Sequence, residues 1–262
     1  MNGKNQIFID SNQVDMYEDK PNRKTFDDFY LSERQTLKRI LPYCSSVLDI
    51  GSLNGDTLDA IAQRYPVKCT GIDIDMSAVA RARVKHPKYN FELADFLDPE
   101  AQIPAADLVI AFNLFDHFED WTVALRALCR PSNRFVNFST LFRIDGPSLV
   151  DANTSFIYYA RNTKRILWAV HNIYELCAYC ATENICATSI YVYCYQKYNA
   201  SRFKNSHLAQ HSVHGMPMEN ILVGNIVLEI DREKAMERTA VRPDLTIIID
   251  DKVVFDSPWK QK

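Results

Sequence analysis

The sequence predicts an α/β protein built on a doubly wound, mostly parallel sheet with helices on both faces. Three observations predict it. Short apolar strands alternate with amphipathic helical segments between residues 47 and 139. One of those strands, Asp107–Phe112 (DLVIAF), is almost wholly apolar, as a strand buried on both faces must be. The stretch VLDIGSLNGDTLDAIAQRYPVKCTGIDID, from Val47 to Asp75, gives a strand, a glycine-bearing turn, a helix and a second strand ending in a carboxylate. At 262 residues and 47% hydrophobic content, the chain suits one large domain with additions. The expected division is an N-terminal arm and helix at 1–35, a main domain at 36–230 and a tail with a hairpin at 231–262. Insertions are expected at 141–163 and 196–220.

Residues 1–25 are polar and read as an arm. Thr25–Leu41 (TFDDFYLSERQTLKRIL) carries apolar residues at helical spacing, and Pro42 stops it. Val47–Ile50 is the first strand and Asp56–Tyr65 the first helix of the core, stopped by Pro66. Lys68–Asp73 is the second strand. Asp75 and Ser77 are N-cap residue types for a helix over Met76–Lys85. Tyr89–Leu93 and Asp107–Phe112 are strands, Asp120–Cys129 a helix and Arg134–Ser139 a strand. After Thr140 the alternation stops. Leu141–Asn162 reads as an inserted loop. Ile166, Leu167, Val170, Ile173, Tyr174, Cys177, Ala178 and Ala181 recur at three and four, which predicts a helix over Thr163–Ala181. Ile185–Tyr195 and Ile221–Ile230 are strands, separated by the polar, His-rich loop Lys197–Met218. Asp231–Thr239 is a candidate short helix. Asp250-Asp251 joins Leu245–Ile249 to Lys252–Phe255 as a hairpin.

Composition narrows the function classes. A net charge of −3 gives no reason to expect nucleic-acid binding. No run of about 18 apolar residues exists to span a membrane, and the N-terminus MNGKNQIFIDSNQ lacks a signal-peptide core. The expectation is a cytoplasmic chain. Its seven cysteines, an odd number, read as reduced thiols. Cys177-Ala178-Tyr179-Cys180 has C-x-x-C spacing, but Cys177 continues an apolar stripe and reads as core.

The turn after the first strand decides which nucleoside this unit suits. Its glycines stand as Gly51-x-x-x-Gly55, with Asp49 two residues before the first. A carboxylate there repels a pyrophosphate and suits a cation, which argues against a nicotinamide-dependent reductase. The arrangement resembles motif I of the class I (Rossmann-like) S-adenosylmethionine (SAM)-dependent methyltransferases, D-x-G-x-G-x-G. Asp49, Gly51 and Gly55 match, and Leu53 replaces the middle glycine. The resemblance implies a seven-stranded sheet with an antiparallel last strand, and SAM as cofactor. It implies that Asp49 helps hold the ammonium end and that Gly51, Ser52, Leu53 and Gly55 let the backbone approach the tail and ribose. Asp73, 22 residues beyond Gly51, is placed to accept the ribose hydroxyls. Ile74 would pack on the adenine, Asp95 with Phe96 would lie near its amino group, and Asn113 would stand at motif IV near the methyl group. The order of these residues on consecutive strand ends supports the resemblance, because ligands of such sheets bind beyond the strands' carboxyl ends.

Methyl transfer is a displacement at an activated carbon, so the protein mainly positions the acceptor. A sugar hydroxyl also needs a base or a metal. His117, just after motif IV, and His171 are the candidate bases. His207, His211 and His214 lie in the last loop. The first two, four apart, would pair on a helix, but no carboxylate completes a metal site and none is expected. Tyr158, His211 and His214 are candidate acceptor-side residues, and Tyr191, Tyr193 and Tyr195 share one strand face. Between 141 and 215 seven Arg or Lys stand against four acids, a hint of an anionic or glycosidic acceptor. The expected function is SAM-dependent methylation of a small molecule, at oxygen of a sugar, nucleotide-sugar or natural-product hydroxyl. N-methylation is the alternative, followed by a non-catalytic methyltransferase-like binding protein. No N/D-P-P-Y/F motif for nucleobase methylation follows the fourth strand. A homodimer is compatible with the sequence.

Overall fold

β1 (Ser46–Ile50) lies third from one edge of a ten-stranded sheet in the computed structural model. The structure describes residues 23–151, 153, 155–159, 165–182, 185–195, 208–213, 221–233 and 243–256, with backbone alone at 156–159, 165–166 and 208–213. α1 (Leu31–Ile40) precedes β1, and from β1 the chain steps outward in βα order through α2 (Asp56–Ala62), β2 (Lys68–Asp73), α3 (Met76–Lys85) and β3 (Asn90–Leu93). The chain then crosses back to β4 (Ala106–Ala111) on the other side of β1, and continues through α4 (Trp121–Cys129) to β5 (Ser132–Arg143). β1, β2, β3, β4 and β5 pair in parallel. The reversal between β1 and β4 is a topological switch point, and it opens a crevice beyond the carboxyl ends of these strands.

The remaining elements widen the sheet. β6 (Ser155–Tyr159), β7 (Arg165–Leu167) and β8 (Val170–Asn172) precede α5 (Ile173–Cys180). They are followed by β9 (Ala187–Tyr195), β10 (Leu208–Val213) and β11 (Leu222–Ile230). β11 inserts antiparallel between β5 and β9, which gives the antiparallel late strand expected. The seven strands β3-β2-β1-β4-β5-β11-β9 form the core of the sheet. The hairpin β12 (Asp244–Ile249) and β13 (Lys252–Asp256) extends it beyond β9, with β12 parallel to β9. Its turn residues Asp250 and Asp251 both have positive φ, 48° and 63°, as a two-residue hairpin loop requires. β10, β6 and β7 form a separate three-stranded sheet. Among the described residues no helix is long and apolar enough to cross a membrane.

Apolar residues alternate along the strands and fill two cores. Leu48, Ile50, Val109, Phe138 and Val192 pack with α4 and α5 on one face. Val47, Leu108, Ile110 and Val227 pack with α1, α2 and α3 on the other. Burial on both faces explains the continuous apolar runs of β1 and β4.

Four expectations change. Thr163–Ala181 is not one helix. Arg165–Leu167 and Val170–Asn172 are strands, and helix begins only at Ile173, where Asn172 Oδ1 accepts from the Tyr174 and Glu175 N–H groups. β8 pairs with Leu141–Arg143, so β5 runs four residues past the expected Ser139. The polar 197–218 segment is not all loop, because 208–213 is a strand paired with Ser155–Tyr159. The Thr25–Leu41 helix is broken: a 3-10 turn spans Phe26–Asp28, Phe29 is extended and α1 starts at Leu31. The break has a cause in the side chains. Asp28 Oδ2 accepts from the Thr25 N–H, and Glu33 Oε2 accepts from the Tyr30 N–H, so each short segment is capped separately.

α1 is seated by a buried polar chain as well as by Leu37 and Ile40. Ser32 Oγ donates to Asn225 Oδ1 (2.7 Å), Asn225 Nδ2 to Asn137 Oδ1 (3.0 Å), and Asn137 Nδ2 to Thr36 Oγ1 (3.0 Å). The Thr36 hydroxyl in turn donates to the Ser32 carbonyl (2.8 Å). All four side chains are buried, and a satisfied buried network fixes one docking of the helix on β5 and β11. Replacing Asn225 by leucine strands the Ser32 hydroxyl and the Asn137 carbonyl oxygen. Urea unfolding is expected to show a loss of at least about 2 kcal/mol, since each stranded buried group costs about 1–3 kcal/mol.

Candidate functional site

The crevice is shaped first by the turn after β1. Gly51, Leu53 and Gly55 all take left-handed backbone, with φ of 75°, 49° and 82°. A Cβ at Gly55 would lie 2.4 Å from the Phe91 ring, so glycine is required there by space as well as by φ. Leu53 adopts the same hand without being glycine, at a cost of about 1–2 kcal/mol. Its N–H donates to Asp73 Oδ2 (2.9 Å), which helps hold it. The turn therefore keeps the glycine conformation at the position where the sequence departs from the motif.

Asp73 ends β2 and is buried; its Oδ1 accepts from the Asp75 N–H (2.9 Å). Burial raises its pKa, opposed by the Asp75 and Leu53 N–H groups. Two bonds leave further acceptor positions on the carboxylate, which offers about four. Asp75 caps α3 by accepting from the Ser77 N–H. Ile74 and Met76 beside it are exposed, at 45% and 71%.

Asp49 is only 3% exposed at the end of β1. Burial pushes its pKa up to about 8. Arg23 pulls in the other direction, and Asp73 and Glu33 add to the rise. Arg23 and Glu33 are the residues sequence reasoning missed. The Arg23 guanidinium binds both Glu33 carboxylate oxygens (2.6 and 2.7 Å) and donates to Thr57 Oγ1 (3.1 Å). It also lies over the Phe29 ring at 4.7 Å and the Phe112 ring at 5.4 Å. No spacing rule marks this group: Glu33 reads as an ordinary helix-surface acid, and Arg23 falls in the polar arm.

The loop after β4 brings the other wall. Asn113 has φ 54° and donates its N–H to Ser139 Oγ (2.6 Å). The Leu114 side chain lies 3.3 Å from where a Gly51 Cβ would stand, so this loop packs onto the turn. Asp116 and His117 are buried in a 3-10 turn. The Asp116 carbonyl accepts from the Ala169 N–H (2.7 Å), Asp116 Oδ2 takes the Trp168 indole N–H, and His117 Nδ1 pairs with the Leu167 carbonyl (2.9 Å). Residues 167–169, the end of β7 and its link to β8, are thereby tied to the loop. Since a carbonyl only accepts, Nδ1 is the donor of this hydrogen bond and carries a proton.

The other candidates scatter. His171 is 0% exposed, packed against Phe115 at 5.2 Å and Trp121 at 5.6 Å. Burial lowers its pKa to about 3, and neither ring nitrogen has a hydrogen-bond partner. It is a core residue, sealed from the crevice, which corrects its candidacy as a base. Asp95 is exposed and closes a turn by accepting from the Leu97 N–H. Phe96 turns into the core against Phe118, ring to edge at 5.6 Å. Tyr193 is buried and donates to Asp251, and Tyr191 packs under Arg39, so these two brace the sheet edge and α1. Tyr158 and His211 lie on β6 and β10, where only the backbone is described, and His207 and His214 lie outside the described residues. His211 lies on a strand, not on the helix that a metal pair four residues apart would need. Cys177 and Cys180 are free and buried in α5.

A group with a cationic end and a ribose fits the residues present. The acid that sets the charge is buried, and Ser52 Oγ on the turn is buried without a partner, as an atom awaiting a ligand or water would be.

Comparison with known proteins agrees with the geometry. Residues 47–132 match the family model described as "Methyltransferase domain". Over these residues, about a third of the chain, the likeness is to a methyltransferase domain, and they carry β1 to α4 with the turn at the crevice. Among curated proteins, the chain is 30% identical over 91 residues to ajmaline N-methyltransferase of Rauvolfia serpentina, covering 32% of this chain and 31% of that one. It is 32% identical over 91 residues to trans-aconitate 2-methyltransferase of Variovorax paradoxus (strain S110), covering 34% and 35%. The matches thus span about a third of either relative. Among solved structures, the N-terminal domain of EvdMO1, in the presence of SAH and D-fucose, superposes with a TM-score of 0.54 at 15% identity, covering 81% of this chain and 84% of that one. That likeness shows the fold.

The raised pKa of Asp49 gives a pH dependence with a defined sign. The folded chain keeps this proton while the unfolded chain releases it from the ordinary value of 3.8 upward. The stabilisation is full below that value and is lost as pH rises toward about 8. Thermal unfolding of the ligand-free protein over this range is expected to show falling stability, with a shallower slope in Asp49→Asn. An unchanged slope in the variant would contradict the assignment.

Proposed function

We propose that this chain is a SAM-dependent methyltransferase that methylates a hydroxyl of a small sugar, nucleotide-sugar or natural-product acceptor. The observation that carries the reading is the convergence of buried Asp49, Asp73 and the left-handed Gly51–Gly55 turn at the switch point of the sheet. In this reading Asp49 and the Arg23–Glu33 pair supply opposite charges for an amino-acid tail, the turn including Ser52 and Leu53 lies along it, and Asp73 accepts the ribose hydroxyls. Ile74 packs on the base and Asp95 accepts from its amino group. Phe96 supports that loop from the core, and Asn113 lines the crevice where the acceptor enters. When bound, SAM supplies a methyl group already activated on a sulfonium.

The residues then have to orient the acceptor, exclude water and take one proton. His117 is the base in this reading, because it follows the motif IV position and the hydrogen bond from Nδ1 to the Leu167 carbonyl fixes its ring. The small β10-β6-β7 sheet, tied through residues 167–169, is the acceptor cover, and Tyr158, His211 and His214 are its candidate contacts. The basic excess of the 141–215 segment supports an anionic or glycosidic acceptor, and the EvdMO1 neighbour, solved with D-fucose, supports the sugar class. N-methylation is the second reading, favoured by the ajmaline N-methyltransferase match. A cytoplasmic location suits either.

Two measurements test this. Asp73→Ala is expected to weaken binding of S-adenosylhomocysteine by about 1.5–3 kcal/mol, the loss of hydrogen bonds to a charged acceptor. Unchanged affinity would remove the ribose assignment. His117→Gln is expected to lower kcat with a hydroxyl acceptor by about 10²–10⁴ while leaving cofactor affinity intact. Full activity of that variant on a hydroxyl acceptor would exclude His117 as base.

A further inference from the structure

β13 is the outermost strand of the large sheet, and among the described residues no strand lies beyond it. Its five residues are all exposed, and Val253, Val254 and Phe255 leave 59%, 52% and 37% of their surface in solvent. A strand edge with free backbone groups and apolar side chains is a template for another strand. What distinguishes this edge is its sequence, Lys-Val-Val-Phe-Asp. Aligned antiparallel with a copy of itself about Val254, it sets Lys252 opposite Asp256 of the partner subunit at both ends. Val253 then faces Phe255 of the partner subunit, and Val254 lies on the two-fold axis. Opposite charges and β-branched–aromatic pairs across antiparallel strands each stabilise the pairing. A parallel, in-register alignment would instead oppose like charges.

We propose that β13 is a homodimer interface, through which two copies join antiparallel into one continuous sheet. Such an interface is isologous and closes with two-fold symmetry, so it does not propagate into a fibre. The β12–β13 register shifts between Ile247 and Ile248, which leaves Val254 as the extra residue of a bulge. The irregular residue therefore sits on the axis, and the charged residues at both ends stay in the ladder. Thr246 Oγ1 donates to Asp256 Oδ1 (3.1 Å) and orients this carboxylate, which can accept an ammonium as well. The apolar pairs and the ladder supply the attraction, while the end charges choose the register. The interface is separated from β1 by β12, β9, β11, β5 and β4, so it is independent of the crevice.

The test is a charge exchange on the full chain, read by sedimentation velocity at micromolar concentration. The wild type is expected to sediment as a dimer. Lys252→Asp and Asp256→Lys each oppose like charges at both ends and are expected to be monomers when alone. An equimolar mixture of the two variants restores both attractive pairs and is expected to be dimeric again. Circular dichroism of each variant checks that it is folded. A monomeric wild type, single variants that stay dimeric, or a mixture that stays monomeric would each overturn the proposal, including the case in which some other segment or protein covers this edge.

Discussion

A carboxyl group buried at the end of the central strand sets the terms for the crevice. Among the described residues, the charges acting on Asp49 are one guanidinium, Arg23, and two carboxylates, Asp73 and Glu33. The acids outnumber the base, and all three carboxyls are buried. Removing a carboxylate from water without a partner is costly, and the group responds by holding its proton. A ligand that brings a positive charge changes that balance. This is why the acid two residues before the glycine turn separates a site for a zwitterionic, cationic ligand from one for a pyrophosphate.

The rest of that wall is arranged to keep the single guanidinium in place. Glu33 grips Arg23 through both oxygens, and the guanidinium lies over the Phe29 and Phe112 rings, which meet edge to face. Glu33 lies on α1, and α1 is docked by hydrogen bonds from Ser32 and Thr36 to Asn225 and Asn137 on the central strands. The position of a charge at the crevice thus depends on a polar chain inside the core. On the opposite wall, Asp116 and His117 bind the backbone and indole of residues 167–169. β8, which follows β6 and β7 of the small sheet, runs parallel to the end of β5, so the small sheet is built as an outgrowth of the main one.

The strand–turn–helix–strand unit at the crevice is legible in the sequence because it is local. Strand, turn, helix and strand follow one another within 30 residues, and each has a physical marker: apolar runs, left-handed residues, a cap and a terminal acid. Leu53 hid one of those markers, since leucine reaches the left-handed region only when something such as the Asp73 carboxylate holds it. The Thr163–Ala181 segment misled for a different reason. Two short strands and a helix in succession reproduce the i, i+3, i+4 apolar spacing of one helix. His171 looked like a candidate because composition does not report burial. Arg23 with Glu33, and Ser32 with Asn225 across 193 positions, are contacts that no local pattern encodes.

The central claim is that Asp49 holds a proton in the free protein and gives it up to the ammonium end of the ligand. Calorimetric titration with S-adenosylhomocysteine near pH 7, in buffers of different ionisation enthalpy, measures the protons exchanged on binding. The account predicts net proton release in the wild type and its loss in Asp49→Asn. Binding without proton release in the wild type, or equal release in the variant, would contradict it.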